Sequence, residues 1–170
     1  MKRFLSTLLI IAVLTAFSGG CLLQHKKNDL PEEAVVAVKA LEKLQAATEV
    51  GVSFSNYQAL LIEAKAAVNA ASRVMPPARP AGDDYSTDAL KASLNDNLNK
   101  AIDSYADAQA AWDEKLHGRS LSPDKEPGKS LIPKYKLKTS DPEEAMQLFW
   151  YMAKLYTLSA TGGVNTLKGE

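Results

Sequence analysis

The side chains able to do chemistry in this chain are few: one cysteine, two histidines and 20 acidic residues among 170. One spacing among them suggests a metal. Glu114-Lys115-Leu116-His117 would put a carboxylate and an imidazole on one face of a helix, as in the di-metal sites of four-helix bundles. Such a site needs a second pair and further glutamates facing inward, and the other histidine, His25, lies in a polar stretch far upstream. His117 therefore reads as a helix C-terminal residue stabilised by the helix dipole. Asp96, Asp103 and Asp107 share one side of the same helix, with Lys100 among them at ion-pair spacing, the pattern of a solvated face. Gly118-Arg119-Ser120-Leu121-Ser122 lacks the closing glycine of a nucleophile elbow. No zincin, phosphate-loop or Cys-His arrangement is present. These residues imply no enzyme, no metal and no cofactor.

Cys21 remains, and its context is more specific. Lys2 and Arg3 precede an apolar run from Phe4 to Phe17, and Ser18-Gly19-Gly20 leads into the cysteine. A basic start, an apolar middle and small residues at the close make an export signal, and the run is shorter than the roughly 20 residues a membrane-crossing helix needs. This ending resembles that of bacterial lipoproteins: Gly19, Gly20 and Cys21 fit, and Ser18 stands where that family commonly has Leu. The resemblance implies cleavage before Cys21, a lipid on its sulfur and attachment to a membrane of the cell envelope. Leu22, which is not Asp, implies the outer membrane, facing the periplasm, if the envelope is Gram-negative. The alternative is ordinary cleavage after Ala16-Phe17-Ser18, which would leave Cys21 as an odd free thiol of the kind secreted chains seldom keep.

Loss of residues 1–20 removes two cations and no acid from a chain with 20 of each, leaving a formal charge of −2. A near-neutral domain does not suggest nucleic acid as a partner. About 150 remaining residues suffice for one domain with its own core. A single cysteine excludes an internal disulfide, so packing must supply the stability. There is no fixed-period repeat.

The elements that position these residues are helical throughout. Residues 21–30 read as a lipidated tether. Asp29-Leu30-Pro31-Glu32 marks a helix start, and Val35, Val38, Leu41 and Leu44 recur at helical spacing until Gly51. Ser53 and Ser55 are both suitable caps for a second helix, whose Tyr57, Leu60, Leu61, Ala64 and Val68 form one side; Pro76 and Pro77 stop it. A third helix, from about Asp88 to His117, carries a seam at alternating intervals of three and four from Leu94 to Trp112, as in nearly parallel helix packing. Between Gly118 and Asp141 lies a long proline-containing connection with a basic excess, where Lys134-Tyr135-Lys136-Leu137-Lys138 alternates as an extended segment would, placing Ile132, Tyr135 and Leu137 on the bundle with lysines outward. Acids on the third helix offer those lysines partners within the domain. Asp141-Pro142-Glu143-Glu144 opens the last helix, and Gly162-Gly163 is expected to end it, leaving residues 162–170 as a flexible tail.

The expected fold is all-α: a four-helix bundle-like domain over residues 31–161, with a long irregular connection before the last helix. That helix, from Ala145 to Leu158, is apolar on nearly all sides, which suits the middle of a core or a surface that a partner covers. The expected role is a non-enzymatic adaptor or structural accessory, held to the membrane by its N-terminal lipid and contacting an envelope protein. The alternative is a carrier or sensor holding a small apolar ligand between its helices. Trp112, Phe149, Trp150 and Tyr156 are the residues expected to contact that partner or ligand.

Overall fold

The computed structural model describes residues 30–77 and 86–169. The expected export signal, Cys21, the expected tether up to Asp29 and most of the joint after Pro77 lie outside the described residues. Among those described, the structure is all-α, with helices α1 (Glu32–Val50), α2 (Phe54–Val74), α3 (Thr87–Leu116), α4 (Gly128–Tyr135) and α5 (Pro142–Lys168). None is long and apolar enough to cross a membrane.

Local signals set most of these ends. Ser53 caps α2 by accepting from Asn56 N at 3.3 Å, Ser86 caps α3 through Ala89 N at 3.2 Å, and Asp141 caps α5 through Glu143 N at 2.8 Å. Gly51, with φ +89°, takes a backbone conformation that a side chain would strain and turns the chain from α1 into α2.

Polar pairs then fix how the four long helices run. Lys43 and Glu63 join α1 to α2 at 2.7 Å, Ser72 and Asn95 join α2 to α3 at 2.8 Å, and Lys115 and Glu143 join α3 to α5 at 2.9 Å. Glu49–Lys154 and Glu42–Thr161, each 2.8 Å, close the ring from α1 to α5. Ser72–Asn95 and Lys115–Glu143 each bring a late residue of one helix to an early residue of the next, the short turn at Gly51 makes α1 and α2 a hairpin, and the α1 partners of α5 run in reverse, Glu49 to Lys154 and Glu42 to Thr161. The bundle is therefore up-down-up-down, in ring order α1, α2, α3, α5. Most contact lies between α3 and α5, where Ala101, Ala108, Ala145, Ala153 and Ala160 are all fully buried and let the two backbones approach closely.

Helix length explains the rest of the chain. At 1.5 Å per residue α3 and α5 are about 45 and 40 Å long, whereas α1 and α2 reach only about 30 Å. The surplus leaves the C-terminal part of α3 and the N-terminal part of α5 without neighbours from the first hairpin. The connection covers them. Its ends meet where Leu121 N donates to Ser140 O at 2.9 Å, and Leu121 and Leu131 bury against Ala108, Ala111, Met146 and Phe149 in a second, smaller core.

Two expectations are corrected here. The alternation from Lys134 to Lys138 does not form an extended segment, because Lys134 and Tyr135 end the short helix α4, Lys136 turns left-handed at φ +51°, and Leu137 N bonds back to Ile132 O at 3.0 Å. Tyr135 and Ile132 still pack inward, and Lys134 meets Asp107 of α3 at 2.6 Å. The last helix also runs past Gly162-Gly163 to Lys168, so residues 162–168 are no flexible tail. Val164 and Leu167 are buried, and burial of that further turn outweighs the weak helix preference of two glycines. Gly169, with φ +78°, is the actual cap.

The tightest point of the connection is Gly128, where a Cβ would lie 2.5 Å from Ser122 N and overlap the carbonyl of the same residue. Gly128→Ala is expected to lower unfolding free energy by about 2–4 kcal/mol, read by thermal or denaturant melting, while Lys129→Ala one residue on leaves it within about 0.5 kcal/mol.

Candidate functional site

Of the residues expected to meet a partner or ligand, the structure turns most toward the core. Phe149 is fully buried, with its ring 4.4 Å from that of Tyr135. Trp112 and Trp150, both half-buried, meet edge to face at 5.5 Å. Phe54 packs on Trp112 at 5.3 Å, and Tyr57 contacts both tryptophans at 5.5 and 5.9 Å. The rings thus fill the space between one another. Tyr156 is half-buried, with Lys100 Nζ 5.9 Å from its ring centre.

Hydrogen bonds set the position of this cluster. The Tyr57 hydroxyl donates to the backbone oxygen of Tyr105 at 2.7 Å and accepts from Trp150 Nε1 at 3.2 Å, so α2, α3 and α5 meet at one oxygen. Burial pushes the Tyr57 hydroxyl's pKa up, keeping it neutral as a donor must be. Tyr105 is likewise pushed up to about 12, chiefly by burial. Its hydroxyl faces Thr157 without a hydrogen bond of good geometry among the described residues; the Thr157 hydroxyl itself donates to Ala153 O at 2.9 Å.

Neither member of the Glu-x-x-His spacing faces a shared ligand. Glu114 grips Arg119 through both carboxylate oxygens, at 2.7 and 2.8 Å; the hydrogen bond from Arg119 holds its carboxyl below the usual range. His117 Nδ1 lies 2.7 Å from Asp113 O, at the end of α3. No group of three or more acidic, histidine or cysteine side chains among the described residues is arranged to hold a metal ion. Of Asp96, Asp103 and Asp107, Asp96 pairs with Lys100 at 2.6 Å and Asp107 with Lys134. Grooves do cut the surface. One of ≈ 470 Å³ lies between α1 and α2, lined by Lys43, Val52, Leu60 and Glu63, and one of ≈ 350 Å³ by Glu114, Arg119, Ser122 and Lys125.

The surface feature that sequence reasoning missed is the outer side of α5. Leu148, Tyr151, Leu155 and Leu158 are 38, 58, 41 and 52 % exposed, and their spacing of three, four and three aligns them along one face. Phe149, Ala153 and Ala160 occupy the opposite, buried side. From Gln147 to Thr166 the one charged residue of α5 is Lys154, 44 % exposed in its side chain and paired with Glu49 of α1. The outer side of α1, by contrast, exposes Glu32, Glu33, Lys39, Glu42, Lys43 and Glu49. The sequence shows that α5 is apolar all round; which half faces outward depends on where α3 packs against it.

No family model, curated protein or solved structure matches this chain.

The aromatic junction gives a paired expectation. Tyr57→Phe removes the donor to the buried Tyr105 O and the acceptor of Trp150 Nε1, costing about 1–3 kcal/mol in denaturant unfolding. Tyr105→Phe removes a hydroxyl with no good partner and should be neutral or stabilising.

Proposed function

We propose that this chain is an exported, lipid-anchored protein of the bacterial cell envelope and works as a non-enzymatic adaptor or structural accessory. The outward side of α5 is its contact surface. That side carries the reading: four large exposed apolar residues, Leu148 to Leu158, aligned over about 15 Å of one helix, with Lys154 at their edge held by Glu49 of α1. Helices at a solvated surface ordinarily carry charge there. Apolar patches bordered by polar residues mark interaction surfaces.

The sequence supports the address. A leader running from Lys2 and Arg3 through Phe17, and Gly19-Gly20 before the lone Cys21, fit export and acylation. Residues 22–30 then form a tether that, fully extended, spans at most about 30 Å. Each buried methylene of an attached chain contributes roughly 0.8 kcal/mol, so multiple chains hold a protein firmly. With that attachment, the folded domain needs no membrane-binding surface of its own, which leaves the α5 face to another protein.

Mass spectrometry of the protein from its native membrane is expected to show an N-terminal Cys21 carrying lipid. Cys21→Ala is expected to lose that mass and to release the domain from the membrane pellet. Detection of an unmodified Cys21, or of the leader still joined to it, would contradict the proposal.

A further inference from the structure

We infer that the connection between α3 and α5 is a hinged strap. Residues 121–140 lift as one body from a bundle that stays folded, uncovering an apolar trough that the strap's own helix α4 occupies when closed. This device goes beyond the reading above and does not depend on it.

Backbone hydrogen bonding defines the body. Leu121 N donates to Ser140 O, Lys125 N to Ser122 O, Lys129 N to Lys125 O and Leu137 N to Ile132 O. Among the described residues, every backbone–backbone bond of the stretch from Leu121 to Ser140 ends within it. Its two arms also interlock, since Gly128 lies against the backbone of Ser122 with no room for a Cβ. Lifting the strap therefore breaks no backbone bond to the long helices, and its buried amides keep the partners they have.

Side chains hold it down. Leu121 and Leu131 are buried in the smaller core, with Ile132, Tyr135 and Leu137 partly so. One acid of α3 supplies most of the polar hold: Asp107 Oδ2 accepts from Lys134 Nζ at 2.6 Å and from the Tyr135 hydroxyl at 2.7 Å. That hydroxyl also lies 3.4 Å from Ser104 Oγ. Both bonds to Asp107 are charge-assisted, the stronger kind. Asp107 is the latch.

The seat survives when the strap leaves. Lys115 and Glu143 pair at 2.9 Å across the ends of α3 and α5, and Trp112 meets Trp150 edge to face at 5.5 Å; neither contact involves the strap. The larger core is a separate cluster, so opening parts only the smaller one. Ala111, Ala145, Met146 and Phe149 are then uncovered between two helices that remain together. Regions with few buried contacts open at a lower free energy than the whole domain, and packed connections of this length are usually functional. Burial of Leu121 and Leu131 keeps the open state a minor one.

A pair of reporter positions on α3 tests this. Ser104, Asp107 and Ala111 follow one another at three and four, so the fully buried Ala111 lies under the strap, whereas the equally buried Ala101 belongs to the larger core. The full chain carrying Ala111→Cys or Ala101→Cys is treated with a small water-soluble thiol reagent, and labelling is read at the reporter peptide by mass spectrometry. Position 111 is expected to react at least about tenfold faster than position 101. Asp107→Ala should speed position 111 by about tenfold more, and Lys134→Ala by a smaller factor, with position 101 unchanged. Equal rates at the two positions would overturn the inference, because the strap would then open only with the whole fold. So would a fast position 111 indifferent to both latch substitutions, or a latch substitution that quickens both positions alike.

Discussion

Three of the four long helices are joined at the Tyr57 hydroxyl. It lies on α2, donates to the backbone of α3 and accepts from Trp150 of α5. Buried polar groups are costly when unpaired, so this oxygen restricts how the helices can slide or turn. Moving α5 by one residue would lose the indole bond, and rotating α2 would lose the carbonyl. Apolar packing alone would tolerate several registers of an alanine-lined seam. The tyrosine favours one.

That register has consequences further along. It fixes which half of the apolar helix α5 is turned inward, putting Phe149 and Ala153 in the core and leaving Leu148, Tyr151, Leu155 and Leu158 outside. It also sets the overhang of α3 and α5 beyond the first hairpin. The connection, with α4 inside it, covers that overhang as a packed element. Its basic residues are partly spent within the domain, on Asp107 and Glu114, so charge that looks available in the sequence is less so in the fold.

The bundle was largely legible in the sequence because its signals are local. Prolines, capping serines and glycines mark ends whatever the tertiary context, and intervals of three and four reveal the long helices. The misread parts are those where tertiary contacts overrule local preference. Gly162-Gly163 suggests a stop, yet Val164 and Leu167 find burial beyond it. The alternation at Lys134–Lys138 suggests an extended segment, yet the second core is better filled by a turn of helix ending at Tyr135. The α5 surface was illegible for a related reason. Periodicity cannot assign an inner and an outer side to a helix that is apolar on both, and only the position of α3 does so. Trp112, Phe149 and Trp150 drew attention by size, whereas the smaller, evenly spaced leucines and Tyr151 are the exposed ones.

The central claim is that the outer face of α5 is covered where the protein works. Thiol accessibility at that face measures this directly. In a chain carrying Leu155→Cys, with Lys65→Cys as the exposed reference, position 155 is expected to be protected from a water-soluble thiol reagent in intact envelopes. It should react as fast as position 65 in dilute purified protein. Equal reactivity of both positions in envelopes and in dilute solution would contradict the account.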